Sequence, residues 1–75
     1  MKKLIEFLNR LEKEKIYFKL DKVRNSVLVE VSVPGERWEV EFFEDGSIEI
    51  EKYLSNGEIF DETEIDVLFT NFSDN

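Results

Sequence analysis

Between Leu4 and Leu11 the apolar residues fall at positions 4, 5, 7, 8 and 11, the spacing of one stripe along a 3.6-residue helix. Lys2, Lys3, Glu6, Arg10, Lys13 and Glu14 take the remaining face. The run EKEK at 12–15 reads as the solvated end of this helix, with Lys13 and Lys15 where the helix dipole favours cations.

From Ile16 onward the period drops to two. Ile16, Phe18 and Leu20 alternate with Tyr17 and Lys19, and Val27, Val29, Val31 and Val33 with Leu28, Glu30 and Ser32. Trp38, Val40 and Phe42 then alternate with Arg37, Glu39 and Glu41, and Ile48 and Ile50 with Glu49 and Glu51. These are four strands with one apolar face each. VRNS (23–26) and PGER (34–37) are turn segments, Pro34 fixing φ and Gly35 supplying a positive φ. Glu44–Asp45–Gly46 predicts a three-residue hairpin loop, a type I turn closed by a left-handed Gly46 in a G1 bulge.

Beyond the fourth strand, SNGE (55–58) is a further turn signal. It leaves open a short fifth strand at 58–60, with Leu54 opposite Ile59. FDETEIDVLF then starts a second helix: Asp61 and Glu64 suit a capping box, and Phe60 and Ile65 a hydrophobic staple. Ile65, Leu68, Phe69 and Phe72 form its apolar stripe. The predicted fold is a single two-layer α+β domain over 1–75. An N-terminal helix, a four-stranded antiparallel meander and a C-terminal helix follow one another, with both helices on one sheet face.

This pattern has an electrostatic consequence. The Gly46 loop places Glu41 opposite Glu49 and Glu39 opposite Glu51. A two-residue loop at Pro34–Gly35 sets Glu30 beside Glu39, and a four-residue loop sets it beside Glu41. Either way five carboxylates share the water side, although like charges directly opposite oppose pairing by about 0.2–1 kcal/mol each. Lys19 and Arg37 offset them in part. A solvated, edge-protecting surface is the plainer reading. However, Tyr17, Leu28, Tyr53 and Phe43 fall on the same face, and aromatic anchors within a charged field suit a protein-binding surface.

Charge distribution strengthens that expectation. The net charge is −8 over 75 residues. Residues 1–24 carry eight basic and four acidic side chains, and 25–75 carry two basic and fourteen acidic. The larger part therefore repels nucleic acid and attracts a basic protein surface. At this length only about 60% of chain surface is buried on folding, too little for a spacious cleft.

With no cysteine, the chain has no disulfide or thiolate chemistry, which suits the cytoplasm. Glu6, Asn9 and Arg10 interrupt the apolar core that a signal peptide needs, and no run is long enough to span a membrane. NFS at 71–73 matches a glycosylation sequon by chance.

Catalysis is not expected. Histidine is absent, and the five serines have no activating partner in sequence. Paired acids on an open face lack the cleft of a glycosidase. EDGSIE (44–49) lacks the spacing of a calcium loop and reads as a turn. No cofactor, metal site or phosphate loop is indicated, and Trp38 shares the parity of the core.

PGERWEVEFFEDGSIEIE (34–51) and LSNGEIFDETEIDVLFTNFSDN (54–75) resemble short acidic bacterial proteins, some of which serve as immunity proteins to secreted toxins. The resemblance implies a non-enzymatic cytoplasmic inhibitor that covers the basic surface of a nucleic-acid-acting toxin. Glu30, Glu39, Glu41, Glu49 and Glu51 would stand in for phosphates, and Tyr17, Tyr53 and Leu28 would add anchors. The competing expectation is an assembly protein, a monomer or weak homodimer joined through an edge strand (16–22 or 48–54) or exposed aromatics.

Overall fold

The computed structural model describes residues 2–53 and 59–72. Along the chain run α1 (Lys2–Lys13), β1 (Tyr17–Val23), β2 (Ser26–Val33), β3 (Glu36–Phe43), β4 (Ile48–Lys52), β5 (Ile59–Phe60) and α2 (Glu64–Phe72). The strands form one antiparallel sheet in the order β1-β2-β3-β4-β5, so each strand lies beside its neighbours in sequence. The α+β meander read from the sequence is therefore present, and the fifth strand exists. Its register differs from expectation: Ile59 stands opposite Glu51, not Leu54, and Phe60 opposite Ile50. That alignment points Phe60 to the helix side, where it packs against the core. Leu54 and the SNGE turn lie outside the described residues.

The turns fix the registers. Val23 faces Ser26 and Val33 faces Glu36, so both of the first two hairpins have two-residue loops. Gly35 has φ 79, as the third position of a type II turn requires. At the third hairpin the Phe43 N–H donates to Ser47 O (2.9 Å), the Gly46 N–H donates to Phe43 O (3.0 Å), and Gly46 has φ 92. This is the type I turn with a G1 bulge that EDG predicts. Asp45 Oδ1 accepts from the Ser47 N–H (2.9 Å) and hydroxyl (2.7 Å), which holds its carboxyl below the usual range.

Helix α1 ends in a Schellman turn. The Ile16 N–H donates to Leu11 O (2.9 Å) and the Lys15 N–H to Glu12 O (3.2 Å), with Lys15 at φ 61. Leu11 and Ile16, which such a turn brings together, are both buried. Glu14, expected on the solvated end, is instead buried at this turn, 8% exposed. At the start of α2, Asp61 caps as expected, but its Oδ1 accepts from the Thr63 N–H (3.0 Å) and hydroxyl. These bonds lower the Asp61 pKa. Glu64 does not act as the reciprocal half of a capping box; its carboxylate pairs with Lys52 of β4.

Both helices cover the same side of the sheet. Leu4, Phe7 and Leu11 of α1 and Leu68 and Phe69 of α2 close over Val29, Val31, Trp38, Val40, Phe42, Ile48 and Ile50. Phe7 joins the layers, its ring 5.4 Å from that of Phe42 and 5.9 Å from that of Phe69. Trp38 is buried as its parity predicts, and its indole N–H donates to Glu36 Oε1 (2.8 Å). The Lys52 ammonium lies over the Trp38 and Phe60 rings at 4.7 and 4.6 Å while it meets Glu64, tying α2 to the sheet.

Two apolar residues depart from expectation. Ile5 is 51% exposed and Leu20 is 54% exposed, although both carry core-side parity. Phe7 and Arg10 occupy the α1 flank towards α2, with the Arg10 guanidinium 4.3 Å above the Phe69 ring. Of β1 only Phe18 is half-buried and the other residues are exposed, so the helix layer leaves the outer edge of that strand uncovered.

Candidate functional site

Among the described residues no helix packs on the other face of the sheet. Antiparallel registry sorts its side chains into rows that cross the strands. One row is Tyr17, Ser32 and Arg37, with Tyr53 joined at its end by a Tyr53 N–H bond to Arg37 O (2.8 Å). The next is Lys19, Glu30, Glu39 and Glu51, extended by Ile59. The third is Asp21, Leu28, Glu41 and Glu49, and the fourth begins Val23, Ser26 and Phe43. Of the two registers open for Glu30, the two-residue Pro34–Gly35 loop selects the one opposite Glu39.

Backbone hydrogen bonding sets how close these acids come. Since two-residue turns close on bonded pairs, Glu30 bonds to β1 and Glu39 to β4, so Glu30–Glu39 is a non-bonded pair. In such pairs the side chains approach most closely, with Cα atoms about 4.5 Å apart. Glu39–Glu51 and Glu41–Glu49 are bonded pairs, about 5.5 Å apart.

The closest acids are the ones with a cation. Arg37 reaches Glu30 Oε2 at 3.9 Å and Glu39 Oε2 at 3.8 Å. Its guanidinium also stacks over the Tyr53 ring, 4.3 Å from the centroid. The Tyr53 hydroxyl lies 3.0 Å from Glu39 Oε1 and 3.1 Å from Glu51 Oε1, so one proton is shared between two carboxylates. The Glu39 hydrogen bond is the main reason its pKa is pushed up to about 12. On the third row, the Ser26 hydroxyl hydrogen-bonds Glu41 and Val23 O. Glu49 is exposed.

All nine residues singled out from the sequence thus lie on the uncovered face. Glu30, Glu39, Glu41 and Glu51 are half-buried among their neighbours, and Tyr17 and Tyr53 are exposed. Leu28 and Phe43 are half-buried, Leu28 within the third row and Phe43 in the fourth. Sequence reasoning missed Asp21, a sixth carboxylate, and Ile59, an exposed apolar end to the central row. Extending the alternation of β1 to its turn would have found Asp21. Ile59 required the register of β5.

Six carboxylates against Lys19 and Arg37 leave the face negative. Neighbouring acids here stand side by side on an open surface, and hydroxyl and guanidinium groups orient several of them. Such an array is suited to accepting hydrogen bonds from several cationic side chains at once. Among the described residues no group of three or more acids is arranged to hold a metal ion, and no helix is long and apolar enough to cross a membrane. Comparison with family models, curated proteins and solved structures finds no match to this chain.

Proposed function

We propose that the uncovered sheet face binds a basic protein surface, and that the chain acts as an inhibitor of the immunity-protein kind. The observation that carries this reading is the unbroken Glu30–Glu39–Glu51 row, with Glu41 and Glu49 beside it. Solubility needs only dispersed charge, whereas adjacent like charges on paired strands oppose folding. A cationic partner converts that local cost into binding energy, because arginine and lysine side chains relieve the repulsion as they dock. Tyr17 and Tyr53 flank the acids as rigid aromatic anchors, and Leu28 adds an apolar contact. On the resemblance to immunity proteins, the partner is a toxin acting on nucleic acid, and the carboxylates occupy its phosphate sites.

The test uses the wild-type chain and Glu39→Lys/Glu41→Lys as paired baits, followed by calorimetry on the purified partner. A basic protein should bind the wild type 1:1, lose affinity as salt rises, and lose most of it with the double variant. If that partner cleaves nucleic acid, the wild type should block cleavage and the variant should not. Equal affinity for both baits would remove the acidic face from the contact.

A further inference from the structure

We infer that the open edge of β1 pairs with β1 of a second copy of this chain, antiparallel, about a twofold axis through Leu20. The edge itself supplies the geometry. Val23 and Ser26 close a two-residue turn, so Val23, Asp21, Lys19 and Tyr17 spend their backbone groups on β2. Phe18, Leu20 and Lys22 therefore direct their N–H and C=O groups outward, away from the sheet. Edge strands with free ladders recruit further strands unless something blocks them.

The side chains match the same axis. Antiparallel pairing centred on Leu20 sets Lys19 against Asp21 of the second copy, Phe18 against its Lys22, and Tyr17 against its Val23. Opposite charges thus meet twice, on non-bonded pairs where side chains come closest. Leu20 meets its own symmetry mate. Exposed apolar residues lie along this edge: Tyr17 (64%), Leu20 (54%) and Val23 (40%). Ile5, also exposed, lies on the α1 flank away from α2, the same side of the helix layer as this edge. Lysines on an edge ordinarily guard it. Here the register gives Lys19 an acidic mate and lays the Lys22 stem along an aromatic ring. One continuous ten-stranded sheet results, with both acidic faces on the same side.

Sedimentation equilibrium from low micromolar to about 1 mM chain tests the pairing. A concentration-dependent dimer is expected. Asp21→Lys should weaken it about tenfold by setting Lys19 against a like charge twice, and Lys19→Asp/Asp21→Lys should restore it. Leu20→Pro removes an outward N–H that β2 does not use, and should abolish the dimer while the monomer stays folded by circular dichroism. Because the chain lacks cysteine, Leu20→Cys offers a second readout. Bonded antiparallel pairs stand about 5.5 Å apart at Cα, within disulfide reach, so oxidation should yield a covalent dimer. Monomer throughout the range with no Leu20→Cys crosslink would overturn the inference. A dimer indifferent to both Leu20→Pro and Asp21→Lys would do so as well.

Discussion

Replacing Arg37 with methionine tests whether crowding on the acidic face is real. Methionine keeps an unbranched apolar stem and removes only the charged head. Two ion pairs are lost, at 3.9 and 3.8 Å, to Glu30 and Glu39. Both are partly exposed, so each contributes about 0.3–0.5 kcal/mol. The guanidinium stack on Tyr53, 4.3 Å from its centroid, adds about 0.5–1 kcal/mol. The expected loss at low ionic strength is about 1.5 kcal/mol, or a fall in Tm of roughly 6–12 °C for a domain of this size. Salt separates the contributions. At 1 M the Debye length is about 3 Å, shorter than either ion-pair distance, so the gap to wild type should shrink to the stacking term, roughly 0.5–1 kcal/mol. Thermal denaturation at low and high salt, followed by far-ultraviolet circular dichroism, measures both values. A variant as stable as wild type at low salt, or a gap that salt does not reduce, would show that Arg37 does not hold the acids together.

Three further outcomes are expected. Lys15→Gly should stabilise the fold by about 0.5–1 kcal/mol in urea denaturation, because Lys15 occupies the left-handed position of the α1 cap at φ 61, where glycine is unstrained; destabilisation would assign the lysine side chain another role. In a Tyr17→Phe background, Tyr53 absorbance should titrate near about 12 instead of 10.0. A folded pKa raised this way favours the protonated hydroxyl, so the contribution is present below pH 10 and fades as pH rises towards 12; a midpoint at 10 would deny the two carboxylate bonds. A double-mutant cycle of Lys52→Met and Glu64→Gln should give a coupling of about 1–2 kcal/mol, since both side chains are under a fifth exposed; coupling below about 0.3 kcal/mol would mean that the pair does not anchor α2.

The acidic face was legible because its determinants are local. Period-two alternation assigns each residue a side, and Gly46 fixes the β3–β4 register within three residues. What sequence left open was the Pro34–Gly35 loop length, since either register keeps all five glutamates outward. The misses lie where periodicity stops. Glu14 follows the last helical residue, and the cap at which it is buried depends on Lys15 adopting a positive φ that lysine seldom takes. Leu20 shows a different limit, because alternation tells which face a residue joins but not how far the opposing layer reaches. Two helices side by side, each about 10 Å wide, span about four strands at ~4.8 Å spacing. Once β5 completes a fifth, one edge strand is left over.

The meander also constrains how the chain folds. Every pair of glutamates in the central rows joins strands adjacent in sequence, so their repulsion arises as the hairpins first close. Helix α2, by contrast, is held through Phe69 against α1 and through Glu64 against Lys52 of β4. Added salt should therefore accelerate folding, while weakening the α2 attachment should chiefly hasten unfolding. The acidic face, on this view, also sets the speed at which the protein forms.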